Sequence, residues 1–148
     1  MRLKSSLVAT AAALATIIVP LLASPAAAAS GTEATVSTNA YYGRMVIGWG
    51  LNPYRLDPIQ IVAQDRATDG YVIGIRLITN GESGHKVWSM RTVPSGQTTA
   101  SWSTYLQAGW IDNAYFEVCK IGASSGVIAR CESSSVMHNP FDDSSVSG

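Results

Sequence analysis

The sequence predicts an all-β protein: an antiparallel β-sandwich, immunoglobulin-like with about seven or eight strands, or a small barrel. Three observations predict this fold class. Apolar and polar residues alternate in short runs, turn-forming residues separate the runs at intervals of about 8–12 residues, and helical periodicity is almost absent after residue 29. The 13 glycines and 6 prolines supply many of those turns.

The first 29 residues have the pattern of a secretory signal peptide and are therefore kept apart from the fold. The pattern has a positive start, an apolar run and small residues at its end, formed by Arg2 and Lys4, 7–22 and 27–29. A membrane-spanning helix needs about 20 apolar residues. Pro20 inside the run and the alanine-rich end favour cleavage before Ser30 instead, so we expect a secreted, extracellular protein.

Length and charge restrict what the mature chain can be. Residues 30–136 fit one β-sandwich domain, and the polar residues 137–148 are expected to form a flexible C-terminal tail. Removing Arg2 and Lys4 from the 10 basic residues leaves 8, against 10 acidic residues, so the net charge is about −2. Because no basic cluster remains, we expect no nucleic-acid partner and, after signal cleavage, no membrane partner.

Six runs between the signal and the cysteines alternate as strands do. They are residues 32–38, 42–49, 59–64, 71–79, 86–93 and 97–106. In the fourth run, four alternate residues form an apolar face that is expected to line the core: Tyr71, Ile73, Ile75 and Leu77. Arg76 lies on the opposite face and is expected to reach solvent.

Asn80-Gly81 is the strongest short hairpin signal in the chain. A two-residue type I′ turn at this dipeptide places Ile73 opposite Trp88, which gives aromatic packing across the two strands. The alternative is a longer loop that reaches Gly84.

The two cysteines are expected to form a disulfide across a second hairpin. A three-residue loop with Gly126 in the left-handed conformation places Ile121 opposite Ala129 and Cys119 directly opposite Cys131. Turn chemistry and cysteine spacing thus predict the same register independently. Two cysteines in an exported chain are typical of one structural disulfide.

Several segments between about residues 57 and 132 resemble a known group of proteins. They are DRATDGYVIGIRL at 65–77, Trp88, Trp102, and FEVCK and ARC around the cysteines. Together they resemble small exported proteins of unknown function that are common in actinobacteria. The resemblance implies a secreted β-rich domain with a closing hairpin near its C-terminus, and it supplies no catalytic residues.

Motifs for catalysis and metal binding are incomplete. Ser83 is flanked as in an esterase nucleophile elbow, but His85 replaces the second glycine and no helical pattern follows. Asp65–Gly70 lacks the third and twelfth ligands of an EF-hand loop, so a turn capped by Asp side chains is expected. The histidines share no ligand spacing. We therefore expect no metal, no cofactor and no identifiable catalytic residue.

Aromatic and arginine side chains beside turns are the remaining functional signal, because Tyr, Trp and Arg are enriched at binding hot spots. The candidate surface patch consists of Tyr41, Tyr42, Arg44, Tyr54, Arg55 and Trp110. By contrast, Trp88 and Trp102 lie in strand patterns and are expected in the core.

The main functional hypothesis is a non-enzymatic extracellular binding module whose partner is an extracellular protein or a cell-wall polysaccharide. One alternative is an inhibitor of a secreted hydrolase. The other is a small extracellular hydrolase, which would need two carboxylates across a cleft. Five acidic residues are candidates for that role: Asp57, Glu82, Asp112, Glu117 and Glu132.

Overall fold

A computed structural model describes residues 30–50 and 55–142. The predicted signal peptide, Tyr54 and the last six residues of the predicted tail lie outside the described residues. Within those ranges the chain is all-β and forms two antiparallel sheets that pack face to face. The predicted sandwich is therefore confirmed, and the barrel alternative is not formed. The described part of the chain contains no helix long and apolar enough to cross a membrane.

The described residues form ten strands. They are β1 (Ser30–Ser37), β2 (Tyr41–Trp49), β3 (Arg55–Asp65), β4 (Tyr71–Gly81), β5 (Lys86–Val87), β6 (Arg91–Thr92), β7 (Thr99–Gln107), β8 (Ile111–Gly122), β9 (Ile128–Ser133) and β10 (Met137–His138). Sheet A has the order β1-β2-β3-β7. In sheet B, β8 and β4 are central neighbours; β10 and β9 pair with β8, and β5 and β6 pair with β4.

The core lies between the two sheets and contains alternate side chains of the long strands, as period-two patterning predicts. Its largest fully buried side chains include Trp49, Phe116, Met45, Ile47 and Leu56. The apolar face predicted for β4 is buried at Ile73, Ile75 and Leu77, whereas Tyr71 is 37% exposed at the strand's start. Trp88 and Trp102 are partly buried and pack against the core, as expected.

The type I′ turn predicted at Asn80-Gly81 is wrong, and the longer loop is formed instead. Thr79 pairs with Lys86, and Gly84 is the loop residue with a positive φ, 78°. Gly81 is the last residue of β4. Only glycine fits at this position, because a side chain there would overlap the main-chain carbonyl of Trp110. The glycine thus serves a close approach between strands rather than a left-handed turn.

The strand predicted for 86–93 is split into β5 and β6 around the Trp88–Met90 segment. Ile78 pairs with Val87 and Ile75 pairs with Arg91. Three steps along β4 thus correspond to four steps from β5 to β6, so one extra residue lies between these two short strands. Met90 fills the space above Gly74, where any side chain would overlap the methionine sulfur. A local bulge therefore replaces continuous pairing.

The disulfide hairpin confirms the predicted pairing of Cys119 with Cys131, which are covalently bonded. Gly126 has a positive φ of 67°, also as predicted. The loop is longer than expected, however: the Gly122 N–H donates to the Val127 carbonyl at 2.9 Å, which leaves four residues in the turn. A bulge absorbs the difference, so Ile121 pairs with Ile128 and not with Ala129.

The predicted tail does not leave the sandwich at residue 137. Met137 is 3% exposed and pairs with Ala114 in sheet B. Asn139 is also buried; its side-chain Nδ2 donates to the Ile111 carbonyl at 2.8 Å. The prediction of a flexible tail is wrong for this part, because a polar side chain supplies hydrogen bonds that the local sequence does not reveal.

Candidate functional site: an apolar cleft at the open side of the sandwich

Tyr41 does not belong to a surface patch, because the structure buries it. Its side chain is 3% exposed at the start of β2, where it joins the core. The hydroxyl makes no hydrogen bond that meets normal geometry with any described residue. Burial raises the pKa of this phenol, and the nearby Glu132 carboxylate raises it further. Tyr41 is therefore a core residue whose buried hydroxyl has the Glu132 carboxylate as its nearest charged group.

Tyr42 and Arg44 lie on the outer face of sheet A, and both already have partners within the chain. Arg44 forms a two-pronged ion pair with Glu33, with N–O distances of 2.7 and 2.8 Å. The Arg66 guanidinium stacks over the Tyr42 ring, 5.0 Å from its centre. Arg44 also lines a shallow groove over β3 and β7, but Tyr42 does not, so no described cleft joins the two residues.

Arg55 and Trp110 complete the described part of the predicted patch, and they lie apart from Tyr42 and Arg44. Arg55 begins β3 at the opposite end from the Tyr42 pairing partner, Gln64. Trp110 is half-buried just before β8, and its carbonyl accepts a hydrogen bond from the Glu82 main chain. The predicted residues thus do not converge, and Tyr54 lies outside the described residues.

Three of the five acidic candidates for a hydrolase are held in ion pairs of 2.7 Å: Asp57 with Arg55, Glu117 with Arg76, and Glu132 with Arg130. Two other carboxylates, Asp65 and Asp69, line one polar groove. Each caps its turn, since Asp65 accepts the Ala67 N–H at 3.2 Å and Asp69 accepts the Tyr71 N–H at 3.3 Å. The turn predicted for this segment is confirmed.

The Asp69 carboxylate should make the stability of the protein depend on pH. A hydrogen bond from Lys120 is the main cause that lowers the pKa of Asp69. Its stabilising effect is therefore fully present above the ordinary Asp pKa of about 4 and is lost as the pH falls through the lowered value. We expect Asp69→Asn to be less stable than wild type at neutral pH, with the difference shrinking in acid.

Urea unfolding midpoints measured at neutral pH and from about pH 4 down to pH 2 check this expectation. Glu33→Gln is the matched control, because Arg44 lowers the pKa of Glu33 in a separate ion pair. In the double variant, the stability losses of Asp69→Asn and Glu33→Gln should add, since the two ion pairs share no residue. A difference between wild type and Asp69→Asn that stays constant with pH contradicts the assignment.

One group of potential metal ligands occurs on the outer face of sheet B. The side-chain ligand atoms of Glu117, Cys119 and Cys131 lie within 4.8 Å of one another. The two sulfurs are bonded to each other, and Glu117 is paired with Arg76. Since thiolates rather than disulfide sulfurs bind metals, this group is a structural cluster.

An apolar cleft of about 170 Å³ opens between the sheets, on the side bordered by β7 in sheet A and by β5 and β6 in sheet B. Aliphatic side chains and one tryptophan dominate its walls: Ile59, Ile61, Ile75, Leu77, Leu106 and Trp88. The cleft exists because β5 and β6 are only two residues long and cover that side incompletely.

The rim of the cleft is aromatic and basic. Tyr105 is 57% exposed, and the Arg55 guanidinium lies 4.3 Å from the centre of its ring. The Lys86 ammonium lies 4.2 Å from the centre of the Trp88 ring, and Arg91 lines the mouth without an ion pair to any described residue. An apolar pocket with a few charged groups at its mouth suits a ligand with the complementary pattern.

Of the predicted site residues that the structure describes, Arg55 alone reaches this rim, through its contact with Tyr105. For the other rim residues the sequence contains one signal: Tyr105 is the single large aromatic residue on the polar face of the 97–106 run. No family model, curated protein or solved structure matches the chain. The resemblance to exported actinobacterial proteins therefore stays a prediction.

Proposed function

We propose that this protein is a secreted, non-enzymatic binding module that holds an apolar group of an extracellular partner protein in the cleft beside β7. The cleft itself is the observation that carries the proposal. Its apolar walls favour an aliphatic or aromatic side chain over a polysaccharide, whose hydroxyl groups would lose hydrogen bonds there. Tyr105 on the rim and Trp88 in the wall are the residue types that dominate binding hot spots.

Secretion is proposed from the signal pattern, and the Cys119–Cys131 disulfide supports it because such bonds persist in oxidising compartments. The same surface would serve an inhibitor of a secreted hydrolase, which differs only in its target. A hydrolytic role is disfavoured, because arginines hold three of the five acidic candidates, Asp57, Glu117 and Glu132, in ion pairs. The two carboxylates of the polar groove cap turns, and Lys120 lowers the pKa of Asp69. A general acid needs a raised value.

Capture from culture supernatant and from purified cell wall tests the proposal with a variant that blocks the cleft. Ser89 is exposed at the mouth, so Ser89→Trp should fill the entrance without disturbing the core. Ser124→Trp, on the exposed tip of the disulfide hairpin, controls for the stickiness of an added tryptophan. Identity of the retained material is read by mass spectrometry.

We expect the wild-type protein and Ser124→Trp to retain the same extracellular protein and Ser89→Trp to lose it. Retention by all three forms contradicts the cleft as the contact site. Retention of cell-wall glycan alone contradicts the choice of a protein partner. Hydrolysis of a captured glycan or peptide by the wild-type protein contradicts a non-enzymatic role.

A further inference from the structure

We infer that the partner presents an extended segment, which adds to sheet A along β7 and places an apolar side chain in the cleft and a carboxylate beside Arg91. This inference rests on the proposed function and specifies the partner's chemistry. Strand addition is a recurrent way to bind peptides: main-chain hydrogen bonds supply affinity, and pockets for alternate side chains supply specificity.

The first support is the free edge of β7. Among the described residues this strand pairs with β3 alone, and it ends sheet A. The Asp65 N–H donates to the Thr98 carbonyl at 2.8 Å, which fixes which residues of β7 face β3. Because bonded pairs alternate in an antiparallel ladder, the main-chain groups of Ala100, Trp102 and Thr104 face β3, and those of Ser101 and Ser103 face outward.

The second support is the lack of protection along this edge. Proteins usually guard a free edge with charges, proline or a bulge. The nine residues of β7, TASWSTYLQ, contain no charged residue and no proline. The bulge in its ladder with β3 adds a residue to β3, between Leu56 and Ile59, and none to β7. The edge strands β1 and β9 differ, because β1 carries Glu33 and β9 carries Arg130 and Glu132. Among these three edges, β7 is the one open to an additional strand.

The third support is the position of the cleft along that edge. Thr104 and Leu106 of β7 line it, so a strand added about 4.8 Å away would direct alternate side chains into the same space. A dry apolar cavity of about 150 Å³ holds one benzene molecule. The cleft of about 170 Å³ is therefore suited to one side chain such as Leu or Phe.

Charge selects between a different chain and a second copy of this one. Arg91 has no ion pair with described residues, and Lys86 is stacked on Trp88 rather than on a carboxylate. A second copy joined through its own β7 would bring an identical pair of cations to the same side, which is unfavourable. An acidic segment provides the complementary charge.

The probe is the peptide TETLTET with blocked termini, in which Glu and Leu side chains share one face of a strand. Two further versions carry N-methyl groups, either on the Leu and Glu amides or on the internal Thr amides. Only one of these two sets can face β7 in a strand, so one methylated version should bind and the other should not. Binding to the exported protein is followed by amide chemical shifts and Trp fluorescence.

We expect shifts at Ser101 and Ser103, and weaker binding when Lys replaces Glu or Gly replaces Leu in the peptide. Ser103→Pro removes an outward N–H without removing a bond to β3 and should weaken binding by about two- to tenfold. Ser103→Ala keeps that N–H and is the matched control.

The outcomes separate this inference from the proposed function. Equal binding of both methylated peptides shows insertion into the cleft without strand addition, and it overturns the inference alone. The inference alone is also overturned if the peptide does not bind at about 1 mM while Ser89→Trp still abolishes capture of a natural partner. Self-association that perturbs Ser101 and Ser103 replaces the acidic segment with a second copy. If Ser89→Trp captures the partner as well as the wild type does, both the proposed function and this inference are contradicted.

Discussion

Loss of the disulfide in the double variant Cys119→Ala/Cys131→Ala is expected to lower the free energy of unfolding by about 3 kcal/mol. The two cysteines are separated by 12 residues, and closing a loop of this size accounts for that value in the chain-entropy treatment. Domains of this size are stable by about 5–15 kcal/mol, so the loss is a large share of the total.

The effect should also be local. The disulfide joins β8 to β9, an edge strand of six residues that otherwise depends on its ladder with β8. We expect amide protons of β9 to lose protection before those of β4, which is central in sheet B. Urea unfolding measures the global loss of stability, and native-state hydrogen exchange measures the local loss of protection in β9.

Reduced wild-type protein is the matched control, because it lacks the bond but keeps both sulfur atoms. Cys119 is fully buried, so alanine is preferred to serine, whose hydroxyl would lack a partner there. Reduced protein and double variant should agree within about 1 kcal/mol, apart from a packing loss at Cys119. Unchanged stability and unchanged exchange in β9 would contradict a structural role for this bond.

The parts of the fold that were predicted correctly depend on short-range signals. The alternation of β2, β4 and β7 is set within each strand by burial of one face. The pairing of Cys119 with Cys131 follows from a turn glycine and a spacing, both of which lie within one hairpin. Such features need no information about the opposite sheet.

The errors depend on long-range contacts. The Asn-Gly pattern predicts a turn at Gly81, but the neighbour of this residue is the Trp110 carbonyl, which lies 29 residues further along the chain. The polar residues around Tyr41 in the sequence favour a surface position, yet its side chain is buried in the core between the sheets. Neither contact leaves a mark in the local pattern.

The candidate cleft was missed for the same reason. Its walls come from β3, β4, β7 and the segment around Trp88, and they meet only after both sheets have formed. Arg91 looks like one of several isolated arginines in the sequence. Its distinction is the absence of an ion pair with described residues, which depends on the placement of every carboxylate around it.

Gly43 lies where the two sheets pack closely, and Gly43→Ala is expected to destabilise the protein by about 1–3 kcal/mol. A methyl group at this position would overlap Cγ2 of Val118 and lie 3.2 Å from the Phe116 ring. Both neighbours are fully buried, so neither can turn toward solvent. The backbone at Gly43 is ordinary in conformation; the glycine is required for space.

A double-mutant cycle with Val118→Ala distinguishes overlap from any other cause. Val118→Ala alone should cost about 2–3 kcal/mol, since it removes two buried methyl groups and leaves a cavity. In the double variant, the new methyl group of Gly43→Ala occupies the space that Val118 vacates. The combined loss should therefore be smaller than the sum by about 1–3 kcal/mol. Strict additivity in urea unfolding would mean that the two sheets do not meet at this point, and the facing of β2 and β8 would have to be revised.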